Sequence, residues 1–329
     1  VKNVIVTTTI NKPTIAIKSY DALSDWDLIV VGDTKTPNYK LEQGRYISWE
    51  EQMDIYRPFC DLIGACSVAR GRMIAFIEGY KHGGEIIASI DDDNFPLEHW
   101  GKDIILNKEM EINMYETNLN NLCFNPLEIY YLQVPTFPTE LLTHRGFPYQ
   151  LKSSSSFSYG YRFTSSICKI VPLIREDLWF GDPDIDAVDR ISKSPFIDYF
   201  EQKTKLFTGK FKFTPVNTQN TFIHRSIVKD FPANIPFIGR ADDIWASYLF
   251  QAKHPNSVIY GTPSVIHYQD RTYESSISDL ENEIFAYKNT YNFLRSLQDE
   301  GIEATKKKFL PIKSIEAIEL YESYFEGEV

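Results

Sequence analysis

The chain has 329 residues, 43% of them apolar and 24% charged, with 34 basic against 45 acidic side chains. This is an ordinary globular balance, long enough for one large domain or two fused ones, with a core that needs no staples. A net charge of −11, without any basic run or stripe, excludes a protein that grips nucleic acid by neutralising its phosphates.

The aromatic share of 14% suits stacking on a base or a sugar, and equally suits a large core. Cys60, Cys66, Cys123 and Cys168 have no C-x-x-C pairing and no histidine at zinc spacing. They read as buried small hydrophobes in a reducing compartment. The opening VKNVIVTTTI runs directly into a strand with no signal-peptide layout, and no apolar run approaches the ~20 residues of a bilayer span. A soluble, cytoplasmic protein is the expectation.

In chain order, the β-branched run 3–10 predicts a strand. Residues 12–23 predict a helix with Pro13 in its first turn, and 26–33 a second, nearly continuous apolar strand ending at Gly32 and Asp33. Helices are expected around 49–60 and 67–82, followed by the strand of EIIASI (85–90). Strands this apolar, alternating with helices, imply a mostly parallel sheet covered on both faces, in which ligands sit beyond the carboxyl ends of the strands. The middle, about 125–235, is less regular. It holds YYLQVPTFP, the serine run 152–160 and the acidic FGDPDID (180–186). Residues 143–160 read as a loop able to close over a site. Helical periodicity returns over 273–300 and again over 312–325.

The stretch EIIASIDDDNFP (85–96) ends a buried strand on three consecutive carboxylates. Like charges at that spacing repel, so the cluster weakens the fold unless a cation or a set of donors completes it. Alternation along an extended chain points Asp91 and Asp93 one way and Asp92 the other. Two carboxylates on one face suit a hard divalent cation with positions left open for phosphate oxygens. The competing reading is an acidic surface turn that caps the next helix. There is no G-x-G-x-x-G, no G-x-x-x-x-G-K-[ST], no H-E-x-x-H and no G-x-S-x-G, which leaves a carboxylate–metal handle on a nucleotide diphosphate.

An Asp-x-Asp closing a strand near residue 90, after an aspartate closing the second strand, resembles glycosyltransferases of the GT-A fold. SIDDDNFP, HRGFPYQLK (144–152), DPDIDA (182–187), IGRADDIWASYLF (238–250) and YGTPSVIHYQ (260–269) occur in the same order as similar stretches of the plant reversibly glycosylated polypeptides, the UDP-arabinopyranose mutases. The beginning, TTTINKPTIAIKSY with WDLIVVGDTKTP, looks more like the STELLO glycosyltransferase-like proteins.

The resemblance implies an α/β GT-A-like domain over 1–270, with a C-terminal helical segment over 271–329 packed on it. It implies a UDP-sugar partner of the arabinose, glucose or galactose class, and admits a homo-oligomer, since plant relatives form complexes. Asp91 and Asp93 would hold Mn²⁺ or Mg²⁺ on the diphosphate, with His267 completing the protein ligands and favouring manganese. The other reading of His267 is a satisfied core histidine. Asp92 would lie nearer the ribose or sugar, and Thr8 and Asp33 would meet uracil or ribose. Arg70 would clamp the diphosphate, unless it lies on a solvated helix face.

At the position of Arg145 the plant family carries an arginine that becomes glycosylated. Freeing a guanidinium lone pair at neutral pH costs on the order of 8–9 kcal/mol, so a carboxylate must take the proton as the bond forms. Asp242 and Asp243 are the candidates, against the alternative that they cap the helix that follows. Arg145 could instead be a phosphate-binding fork. Lys152 stands where the family's loop has a second arginine, so a point charge replaces a planar fork. The resulting hypotheses are a self-glycosylating mutase, a conventional transferase with an external acceptor, and a UDP-sugar-binding scaffold without turnover.

Overall fold

The computed structural model describes residues 1–116, 122–127, 142–152, 164–193, 195–198, 205–269 and 271–326. The chain begins β1 (Asn3–Thr8), α1 (Ile15–Asp21), β2 (Trp26–Val31), β3 (Arg45–Ile47), α2 (Trp49–Ile55), α3 (Arg57–Ile63) and α4 (Val68–His82). Then come β4 (Ile86–Ile90), β5 (Asn94–Pro96), β6 (Met110–Glu116), α5 (Tyr149–Lys152), β7 (Thr164–Ile170), β8 (Ile174–Gly181), α6 (Ala187–Lys193) and β9 (Leu206–Gly209). The remainder is β10 (Asn220–His224), α7 (Asp242–Lys253), β11 (Val258–His267), α8 (Tyr273–Asp299), α9 (Ile302–Phe309) and α10 (Ile312–Ser323).

The strands form one sheet in the order β3-β2-β1-β4-β10-β8-β11-β9-β6-β7, with β5 paired to β11. Four neighbours, β3, β2, β1 and β4, run parallel, as their continuously apolar sequences predict. β10 enters antiparallel between β4 and β8, and β8 runs parallel to β11. With helices packed on this large sheet, the architecture is the expected α/β, GT-A-like one.

Every residue of Ile86–Ile90 is buried, and Val4, Ile5 and Val6 of β1 have no exposed surface. The register pairs Thr8 with Val31 and Val6 with Ser89, so β1, β2 and β4 end together on one side of the sheet. Helix α4 crosses behind them, started by the Ser67 hydroxyl accepting from Arg70 N and stopped by Gly83 in the left-handed region. Gly71 lets this helix touch the end of β1: a Cβ there would stand 2.3 Å from the Thr8 hydroxyl oxygen.

Two helix boundaries differ from expectation for identifiable reasons. The predicted helix 49–60 is broken at Tyr56, because Pro58 cannot continue a helix but fits the first turn of a new one. Pro13 lies outside α1, whose N-cap is Thr14, accepting from Ile17 N at 3.1 Å. YYLQVPTFP and residues 153–160 of the serine run lie outside the described residues.

The C-terminal helices share the main core. The Trp245 ring of α7 stacks on Phe293 of α8 with centroids 3.9 Å apart, and Tyr321 of α10 donates its hydroxyl to Val228 O at 2.8 Å. No described helix is long and apolar enough to cross a membrane. All four cysteines are free; Cys60 and Cys123 are buried as expected, Cys168 is half-buried, and Cys66 is exposed.

Candidate active site

A cleft of about 360 Å³ opens where β1, β2 and β4 end, lined by Thr8, Thr9, Asp33, Lys35, Cys66 and Arg72 together with all three acids of the run. This is the position that the strand order predicts for a ligand. The acids are anchored separately. Asp91 N donates to Gln219 O at 3.1 Å, and the Asp91 carboxylate is ion-paired with Arg72. Asp92 turns the other way, accepting from the Thr9 hydroxyl and from Asn11 Nδ2, while its carbonyl accepts from Thr14 Oγ1 at 2.6 Å. Asp93 Oδ2 lies 3.4 Å from His267 Nε2, and Asp93 Oδ1 is buried with no hydrogen-bond partner.

The His267 ring is fixed from its far side, with Nδ1 lying 2.5 Å from the Asp182 carbonyl oxygen. Gly181 makes this approach possible, since a Cβ there would fall 2.2 Å from His267 O. Burial opposes the imidazolium, but the hydrogen bond and charge of Asp93 outweigh it and raise the His267 pKa. Burial likewise pushes the Asp91 carboxyl up, with Asp93 and Asp92 adding to the shift and Arg72 opposing it. Unpaired acceptor capacity beside an imidazole nitrogen fits a divalent cation of the manganese or magnesium kind. Among the described residues, however, no three His, Cys, Asp or Glu side chains are already gathered as a ligand set, because Asp91 is turned to Arg72.

Arg70 lies beneath this wall, fully buried. Its Nη2 donates to Asp33 Oδ2 at 3.1 Å, its Nε to Gln52 and its Nη1 to Gly64 O, and Trp49 stacks over it. It braces Asp33 and is not placed to clamp a diphosphate. The guanidinium on the cleft belongs to Arg72, whose Nη1 also donates to Ser89 Oγ at 3.0 Å and Ile90 O at 2.6 Å. Asp33 accepts from Thr34 and Lys35 N as well; burial acts to raise its pKa, but these donors and Arg70 bring it below the ordinary value.

A second polar centre surrounds Arg145, whose Nη1 and Nη2 donate to the two oxygens of Asp243 at 2.8 and 2.9 Å. Its Nε donates to Asp184 at 3.0 Å, and Nη1 also reaches Arg240 O. Burial works against its charge, yet Asp184 and Asp243 raise the Arg145 pKa well above an ordinary guanidinium. For Asp184, burial is outweighed by Arg145, and its pKa falls well below the usual carboxylate range.

Asp243 thus occupies the place expected for a carboxylate against Arg145, and Asp242 does not. Asp242 accepts from Asn234 Nδ2 at 2.8 Å, and burial with its neighbour Asp243 pushes it up to about 6. Neither residue is the N-cap of α7; both lie in its first turn. Asp184 is the partner that sequence reasoning passed over, although it lies inside the DPDIDA stretch. Lys152 is drawn onto α6 by Asp186 at 2.8 Å and Asp189 at 2.6 Å, and does not line the cleft.

The two centres are joined by residues 217–219. Ser89 Oγ donates to Thr218 O at 2.6 Å, while Thr218 N donates to Asp243 Oδ2 and Asn217 Nδ2 to Asp184 Oδ2. Arg72 is therefore linked to Arg145 through Ser89, Thr218 and Asp243. All of these partners are buried.

No family model matches the chain. It is similar to a protein of Arabidopsis thaliana described as "Probable glycosyltransferase STELLO1", with 23% identity over 261 residues. That match covers 74% of this chain and extends beyond the opening segment on which the STELLO resemblance rests. The chain spans about a third of the relative's length, 32%. The GT-A-like architecture agrees with this likeness to a probable glycosyltransferase.

Proposed function

We propose that the chain binds a uridine diphospho-sugar in the cleft at the ends of β1, β2 and β4 and transfers the sugar to an external acceptor. The observation that carries this reading is the convergence of Asp91, Asp93 and the Arg72 guanidinium on one cleft at the strand ends. Asp91, Asp93 and His267 would hold Mn²⁺ or Mg²⁺, which when bound neutralises charge on the diphosphate leaving group. Arg72, fixed by Ser89 and Ile90 O, orients the diphosphate, and the exposed Lys35 ammonium adds a mobile positive charge. Thr8 and Asp33 face the base or ribose, with Asp33 braced by Arg70.

A second reading draws on the carboxylates against Arg145. In self-glycosylation, an Arg145 nitrogen would bond to the anomeric carbon, the carbon–oxygen bond to the diphosphate would break with its electron pair, and Asp243 or Asp184 would take the proton. The UDP-sugar could then return with a pyranose or furanose ring. Against it, both acids favour the protonated guanidinium that the reaction must lose.

The test is UDP release from a panel of UDP-sugars with Mn²⁺. The expected result is turnover that falls on the order of a hundredfold in Asp93→Asn. Turnover that survives in Asp93→Asn would overturn the assignment of the cleft.

A further inference from the structure

The buried His267 ring connects a residue of the strand-end cleft, Asp93, to a residue of a second pocket, Asp182. Its Nε2 edge faces Asp93 and the strand-end cleft, and its Nδ1 edge rests on the Asp182 carbonyl. Asp182 also lines a second pocket of about 500 Å³, within the size range of small-ligand sites. The next residue, Tyr268, donates its backbone N–H to Asp93 O, and its side chain lines that second pocket. The second pocket is thus tied to Asp93 twice, through His267 and through the Tyr268 backbone.

The lining of this pocket is chemically distinctive. Three aromatic side chains stand open around it: Phe196, 60% exposed, Tyr268, 63%, and Tyr273, 72%. Single exposed aromatics are common, but three on one concavity are not what a solvated surface selects. The same lining carries the charged Asp182, Arg190 and Arg271. Asp182 accepts from Arg190 through one oxygen and from Arg271 Nε through the other. Arg271 Nη1 donates to Asp279 Oδ2 at 2.6 Å. Exposed aromatic rings and hydrogen-bonding charged groups in one lining match a saccharide, which has apolar C–H faces and a rim of hydroxyls. Its links to Asp93 through His267 and Tyr268 put this pocket beside the cleft in which the donor is proposed to bind.

We propose that this pocket is the acceptor subsite and takes a neutral saccharide. This assignment rests on the donor reading of the strand-end cleft. Tyr268 and Tyr273 stack on the sugar face, and Asp182 with Arg271 reads its hydroxyls. An acceptor hydroxyl oxygen bonds to the anomeric carbon of the donor. The carbon–oxygen bond to the diphosphate breaks with its electron pair, and the hydroxyl proton passes to the released diphosphate.

The test separates the two sites. Saturation-transfer NMR with methyl β-D-glucopyranoside, methyl β-D-galactopyranoside and methyl α-D-mannopyranoside reads the acceptor pocket without donor or metal, and calorimetry with UDP and Mn²⁺ reads the cleft. At least one glycoside binds the wild type, and its affinity falls about tenfold in Tyr273→Ala, with Tyr268→Ala and Tyr268→Phe separating stacking from the hydroxyl contact. Both tyrosines are largely exposed, so unchanged melting curves are expected to exclude unfolding as the cause. If UDP binds but no glycoside does, or if a glycoside binds equally well to Tyr273→Ala and Tyr268→Ala, the acceptor assignment is overturned while the donor reading stands. If a glycoside binds through the tyrosines and UDP does not, the pocket is a saccharide site but its role as acceptor subsite falls with the donor reading.

Discussion

Arg145 and Asp243 meet fork to fork, two parallel hydrogen bonds of 2.8 and 2.9 Å between buried groups, with Asp184 closing the remaining edge of the guanidinium. A pair of this kind is costly to break from one side, because the surviving charges stay buried without a counterion. Arg145→Ala is expected to lower unfolding free energy by roughly 3–5 kcal/mol in urea titrations. Arg145→Lys should recover part of this, since an ammonium keeps the charge but not the fork. Intact mass of the wild type after incubation with UDP-sugars and Mn²⁺ is expected to stay unchanged. A sugar increment mapped to Arg145 would establish the self-glycosylating reading instead.

The approach of α4 to β1 gives a second prediction. At Gly71 an added Cβ meets Thr8 Oγ1 at 2.3 Å and Thr8 Cβ at 3.1 Å. Gly71→Ala should therefore destabilise by about 1–3 kcal/mol and distort the end of the cleft. Thr8→Ala removes the nearer atom, so the double variant should be more stable than the sum of the single effects predicts. A double-mutant cycle on urea midpoints measures the coupling.

His144 and Glu176 set a pH dependence. His144 Nε2 lies 3.2 Å from Glu176 Oε1, and both side chains are completely buried. Burial raises Glu176 to about 7 despite the opposing pull of His144. Burial alone would lower His144, but attraction to Glu176 raises it above its ordinary value. With both pKa values higher in the folded state, the native protein holds more protons than the unfolded chain. The stabilisation is complete below the unfolded glutamate pKa and is lost as pH rises through about 7 and beyond. The melting temperature should fall by several degrees, on the order of 2–4 °C per kcal/mol, between pH 5 and 8. The fall should be shallower in Glu176→Gln, and an identical slope would contradict the assignment. His224, whose pKa burial lowers, acts in the opposite direction in both proteins and cancels in the comparison.

Docking of α8 is tested at the Trp245–Phe293 stack, whose planes lie 16° apart. Phe293→Ala should cost about 3–5 kcal/mol, because the lost ring leaves a cavity between α7 and α8. Chemical denaturation should show one cooperative transition at a lower midpoint. Two separated transitions would show instead that the C-terminal helices unfold on their own.

What could be read in advance follows from how strongly each signal was determined by local chemistry. β1, β2 and β4 declared themselves because a strand buried on both faces must be apolar throughout. β8 did not, because IREDLWFG buries Glu176 and Asp177, the first against the sequence-distant His144 and the second against the half-buried Arg175 two residues away. The acids at 91–93 were legible as a cluster, since their repulsion calls for compensation. Which arginine serves them was not. Arg70 and Arg72 are two positions apart, about 200° around a helix, so one enters the cleft wall and the other the core behind it. Asp184 and the contacts of Lys152 depend on chain crossings that no local pattern encodes.

The cleft at the strand ends is expected to take a diphosphate only when a cation offsets its acids. Titration calorimetry of UDP into the wild type, with Mn²⁺ and then with chelator, measures this directly. Binding is expected with Mn²⁺, with a loss of at least about tenfold on chelation and the same loss in Asp93→Asn even when Mn²⁺ is present. UDP affinity that is equal with and without the metal, or absent in both conditions, would contradict it.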